Sequence, residues 1–230
     1  MINLTVVKSI IMSAALSGLI AGLLLTGIQE IDVLPTLLKA EHYEQSANSL
    51  THSHGIISDS QKEWQPENGI QRTFYTGISN ISLAFSFALL LGAAMLVYGK
   101  SCNWRSGLLW GLAGYSVFVI APSLGLPPEL PGTEAAALQD RQAWWLLTVL
   151  ATASGLSLLV FVRSWPLKSL GILVLLLPHL MGAPQPQVHG STAPLSLVYS
   201  FIYATAIANA IFWLSLGGLQ GFFYKKLASL

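Results

Sequence analysis

Five histidines are the residues most able to do metal chemistry in this chain: His42, His52, His54, His179 and His189. The stretch THSHG sets His52 and His54 two apart, on one face if that segment is extended. Ten residues earlier, EHYE supplies Glu41, His42 and Glu44. Imidazole beside carboxylate suits borderline divalent ions such as Co²⁺, Ni²⁺ and Zn²⁺. The plainer alternative is a solvated polar loop with incidental histidines. His179 stands apart, in LLPHLMGAP, where Pro178 weakens a helix and frees backbone carbonyls. An ionisable residue at membrane depth marks a functional site by default; the alternative is an imidazole snorkelling to the interface. A fifth candidate is Glu129, the one acid in APSLGLPPELPG, a turn stiffened by four prolines. It could meet His179 and the 42–54 region at one outer mouth, or pair with Arg141 across its own loop.

Other chemistries find little support. AMLVYGKS at 94–101 approaches the phosphate-loop pattern GxxxxGK[ST], but Ala94 replaces the first glycine and apolar residues fill the flexible positions. Lys100 there reads as an anchor on the cytoplasmic side, and any ATP use belongs to a partner. The single cysteine, Cys102, excludes an intrachain disulfide and a multi-cysteine metal centre. Four scattered methionines argue against a thioether Cu(I) site. Haem ligation would want histidines on facing helices, and only His179 falls in a span. No nucleophile stands beside a base. No enzyme is expected and no permanently bound cofactor.

The elements that position these residues are membrane helices. Hydrophobic residues make up 53% of the chain and charged residues 9%, against about 25% charged in soluble domains. A net charge of +1 offers no field for nucleic acid. Spans of about 20 apolar residues fit near 10–28, 74–98, 107–124, 143–162, 167–183 and 195–219. The fold expected is an all-α, polytopic membrane helix bundle in one integral domain over 1–230. Six transmembrane helices are favoured and five possible, because 167–183 is short and ends near Pro178 and His179. The first apolar run is read as an uncleaved span, since no small-x-small cleavage site precedes its polar end.

Six spans place Lys8, Lys100 with Arg105, Arg163 with Lys168, and Lys225 with Lys226 on one side, hence both termini in the cytoplasm. The segment 29–73 then becomes an external loop bearing histidines and acids, and all five histidines lie outside or near outer helix ends. No Asp, Glu, Lys or Arg reaches a midplane, which argues against a carboxylate proton relay. Gly18 with Gly22, Gly107 with Gly111, and Gly217 with Gly221 form GxxxG pairs suited to helix packing, and Ser9, Ser13 and Ser17 recur at helical spacing. Trp144 and Trp145 are expected at the outer interface.

Five stretches in order, EHYEQSA, WQPENGIQRTFYT, LLWGLAGYSVFVIAPSLGLPPELPG, RQAWWLLTVLATASGL and LLPHLMGAP, resemble the CbtA family of predicted cobalt transporter subunits. The resemblance implies cobalt uptake for corrinoid synthesis across a bacterial plasma (inner) membrane. It also implies a small, single-span, histidine-bearing partner, CbtB. Its motif positions fall on Glu129 in PPELPG, Arg141 and Gln142 in RQAWW, and His179 in PHLMGAP. The expectation is a divalent-metal permease subunit, with Co²⁺ as substrate captured by His42, His52, His54, Glu129 and His179. The alternatives are nickel or zinc as cargo, or a membrane-bound metal-binding or sensing protein that does not translocate.

Overall fold

The computed structural model describes residues 4–51, 64, 66–99, 102–187 and 190–228. Helices dominate: α1 (Leu4–Ile28), α2 (Leu34–Thr51), α3 (Ile70–Tyr98), α4 (Trp104–Tyr115), the single turn α5 (Ala121–Ser123), α6 (Leu138–Phe161), α7 (Trp165–Met181) and α8 (Leu195–Ala228). Five stretches are long and apolar enough to cross a membrane, and Trp165–Met181 is a shorter apolar helix. This is the all-α membrane bundle the composition calls for. Its fifth apolar segment is the short one, as the sequence suggests.

Two helices run through π-helical turns, Gln29–Val33 and Ser116–Ile120. Each turn ends two residues before a proline, Pro35 or Pro122. A proline returns no N–H to the carbonyl four residues back, and the wider turn absorbs that gap without breaking the helix. Leu34 N–H accordingly bonds Gln29 O, and Ala121 N–H bonds Ser116 O. The helical stretch Leu4–Ala47 is therefore continuous, and the loop expected from position 29 is instead helical as far as Thr51. Polarity rises there because the helix outruns the hydrocarbon. Its 44 residues give a contour of about 66 Å, where about 30 Å suffices to cross.

Contacts group the chain into two compact units, with three helical stretches contributing to both. The first comprises Met1–Pro35, Thr51–Leu112 and Ile207–Leu230. Here α1 lies against α3 through Gly18 and Gly22: a β-carbon on Gly18 would come within 2.7 Å of Phe85 Cα, and one on Gly22 within 2.6 Å of Ile81 Cα. The other two GxxxG pairs meet each other. A β-carbon on Gly107 would overlap the Gly217 carbonyl, and one on Gly217 would come within 2.6 Å of Gly111 Cα. Fully buried Gln220 donates to Ser13 Oγ (3.0 Å) and accepts from Ser17 Oγ (2.7 Å), tying α8 to α1. Asn80 Nδ2 donates to Thr26 Oγ1 (3.0 Å) and Gln29 Oε1 (2.7 Å). Gly99, at φ 69°, closes α3 by donating to Met95 and Leu96 carbonyls. The GK pair thus begins at a helix cap and not at a phosphate loop.

The second unit comprises Thr36–Leu50 and Ala113–Ala206. Antiparallel α6 and α7 touch backbone to backbone at Gly155 and Gly171, where a β-carbon on Gly155 would sit 2.8 Å from the Gly171 carbonyl oxygen. Among the described residues the one β-bridge pairs Thr133 with Ser191, binding the proline-rich turn to the segment before α8.

Candidate functional site

The site is assembled where α6 begins and α7 ends. Trp144 is one turn beyond Arg141 on α6, and its indole Nε1 donates to the Pro178 carbonyl at 3.2 Å. Its ring meets His179 edge-on, with centroids 5.9 Å apart and planes at 74°. Trp144 is only 7% exposed, which corrects its expected place among interfacial aromatics. An indole that finds a carbonyl partner inside the protein need not reach the headgroups for one. Trp145 is 37% exposed. Gly125 makes room for the buried ring, since a β-carbon there would sit 2.7 Å from Trp144 Cζ2 and 2.8 Å from Ala183 Cβ.

A cavity of about 380 Å³ opens beside this cluster, lined by Leu124, Gly125, Trp144, His179, Ala183 and Gln185. Its chemistry is one imidazole, one amide side chain and the indole against apolar walls. Helix α7 ends beside it at Met181, so terminal carbonyls and the negative end of the helix dipole favour a cation there. The Gly182 N–H caps the Pro178 carbonyl at 3.1 Å, the same oxygen that Trp144 uses.

The turn carrying Glu129 is braced on several sides. Arg141 Nη2 lies 2.7 Å from Glu129 Oε2, with side chains 30% and 28% exposed. Thr192 N–H donates to the Gly132 carbonyl (3.1 Å), and Glu134 N–H to that of Gly190 (3.0 Å). Gly132, at φ 73°, takes a backbone shape that side chains resist; a β-carbon there would also come within 3.3 Å of Glu44 Cβ on α2. The stiff turn therefore presents its acid to Arg141, the pairing that was the plainer of the two expectations.

The remaining sequence candidates are dispersed. His42 is exposed on α2, with Ser46 Oγ 3.4 Å from its Nδ1. His52, His54 and His189 lie outside the described residues. Among the described residues, no three His, Cys, Asp or Glu side chains form a group able to hold a metal ion. Sequence reasoning passed over Gly125 and Gln185, which line the cavity, and misjudged Trp144. A small residue beside prolines was the available signal for Gly125; nothing in the sequence pairs Trp144 with Pro178.

A family model described as "Probable cobalt transporter subunit (CbtA)" matches residues 7–225. The chain belongs to the CbtA family. No curated protein and no solved structure matches it. Membership in CbtA makes the chain one subunit of a transporter, which implies a partner, and its apolar helices make it a multi-pass membrane protein.

Proposed function

We propose that this CbtA protein is the permease subunit of a divalent-metal uptake system, with Co²⁺ as its substrate and a small single-span CbtB-like protein as its partner. The carrying observation is the His179 imidazole in a cavity at the carbonyl-rich end of α7. Imidazole nitrogen with amide and carbonyl oxygen is a donor set that Co²⁺ accepts. It holds no carboxylate among its lining residues, so binding stays weak enough for release.

In this reading the cavity faces outward and both termini are cytoplasmic, because Lys and Arg of the short loops then fall inside. The histidines at 42, 52 and 54, near Glu41 and Glu44, gather metal at low concentration. Glu129 and Arg141 hold the turn that walls the mouth, and His179 takes the ion as it sheds water. The protein performs no bond chemistry; its work is exchange of ligands along a path.

Uptake of radiolabelled Co²⁺ into cells carrying the chain with and without its partner tests this. Saturable uptake that needs the chain, with a lowered maximum in His179→Ala, is expected. Cobalt bound by the purified chain with no flux into vesicles, partner present, would replace the permease with a metal-binding accessory. Preference for Ni²⁺ or Zn²⁺ in competition would change the cargo and leave the mechanism.

A further inference from the structure

We infer a second cation site deeper between α6 and α7, built from oxygen alone: the hydroxyls of Thr152 and Thr148 and the backbone carbonyl of Val174. It rests on the permease reading above and supplies that reading with an inner stage.

The first observation is an anomaly among the hydroxyls of α6. Thr148, Ser154 and Ser157 each return a hydrogen bond to the carbonyl four residues back, at 2.8, 2.7 and 2.7 Å. This is the ordinary way a hydroxyl is satisfied in a helix within hydrocarbon. Thr152 does not: its residue is 3% exposed and its Oγ1 has no hydrogen-bond partner. A buried polar atom left so costs about 1–3 kcal/mol, and a functional ligand is one reason to keep it.

The second observation comes from the facing helix. Pro178 lies inside α7 and has no N–H to return to the Val174 carbonyl. The close contact of Gly155 with Gly171 sets the register of the pair. Counting three residues from each glycine, one turn along antiparallel helices, brings Thr152 level with Val174. A helix carbonyl points toward the helix C-terminus, so the Val174 oxygen is aimed toward the level of Thr148. Thr148 and Thr152 share the face of α6 that carries Trp144 and Gly155, the residues touching α7. Proline thus frees an acceptor between the levels of Thr152, whose hydroxyl lacks a partner, and Thr148.

Thr152 is eight residues from Trp144, about 12 Å deeper along the helix. Carbonyls released by an interrupted membrane helix are a recurrent way to hold a passing cation. Neutral oxygens would take a partly hydrated divalent ion from the imidazole above and release it readily.

The test uses the full chain expressed with its partner, carrying Cys102→Ala to remove the sole cysteine. A charged, membrane-impermeant thiosulfonate, added to either side, should modify Thr152→Cys, and Co²⁺ should slow that reaction. Leu150→Cys, at a side chain 58% exposed on the outside of α6, should stay unmodified. At matched abundance, Thr152→Val should lower maximal uptake about tenfold while Thr152→Ser retains it. Pro178→Ala restores an N–H for Val174 and should also lower uptake. A Thr152→Cys thiol inert from both sides, or parental uptake by Thr152→Val, overturns the site. A parent that takes up no cobalt while Co²⁺ still shields Thr152→Cys overturns the permease reading and leaves the site standing.

Discussion

Exchanging the charges of Glu129 and Arg141 separates a brace from a metal ligand. The pair is 2.7 Å apart and each side chain is somewhat less than a third exposed. Fully exposed pairs contribute about 0–1 kcal/mol, and breaking a fully buried one costs about 3–5 kcal/mol. This pair falls between. Removing the carboxylate also leaves a guanidinium whose Nε is already buried without a hydrogen-bond partner. A cost of about 1–2 kcal/mol follows for Glu129→Gln, which is about a tenfold loss in the equilibrium constant for the braced turn. If that turn walls the mouth, maximal Co²⁺ uptake should fall, by up to that factor, in Glu129→Gln and in Arg141→Gln alike. The double exchange, Glu129→Arg with Arg141→Glu, should recover most of it, with half-saturating cobalt unchanged throughout. The assay is initial-rate uptake of radiolabelled Co²⁺ over a concentration series, corrected for membrane abundance by immunoblot. Parental uptake by Arg141→Gln beside failure of both Glu129→Gln and the exchanged protein would refute the brace and make Glu129 a ligand.

Other outcomes follow from the rest of the molecule. A reporter fused after Leu230 should read cytoplasmic and one inserted near Ser60 external; an external C-terminus removes the six-span arrangement. Gly111→Leu or Gly217→Leu should abolish accumulation of folded protein, because each would drive a side chain into opposing backbone, whereas Gly27→Ala, with nothing within 4 Å, should accumulate normally. His52→Ala with His54→Ala should raise half-saturating cobalt and spare maximal uptake, while His179→Ala lowers the maximum. Identical curves for both mutants and the parent would reduce these histidines to solvated polar residues.

The helices and the glycine pairs were legible because lipid imposes simple demands: length, apolarity and small residues where backbones meet. Which pairs meet was not legible. Gly107 and Gly111 could have packed on any helix, and only the fold puts Gly217 and Gly221 against them. The helical continuation beyond α1 was missed because a polar sequence marks the edge of the membrane and not the end of a helix; Pro35, which would usually stop one, is absorbed by the π turn before it. Gln220, near the end of α8, is fully buried against two serines of α1, and nothing in the sequence pairs it with them. At the site, His179 stood out by chemistry alone. Trp144 did not, since a tandem Trp pair at a span boundary reads as headgroup-facing until one indole is seen bonded inward.

The shortness of α7 has a consequence for the surrounding lipid. Seventeen residues rise about 26 Å, against a hydrocarbon core of about 30 Å. If this helix is the sixth span, the bilayer beside it thins, or the helix stands upright with its ends drawn inward. In either case the His179 end would be carried toward the acyl region, and the cavity there would become a dimple in the membrane surface. Bilayer thickness then acts on transport: vesicles of shorter-chain lipids should relieve the mismatch and ease the approach of hydrated ions, and longer chains should bury the mouth.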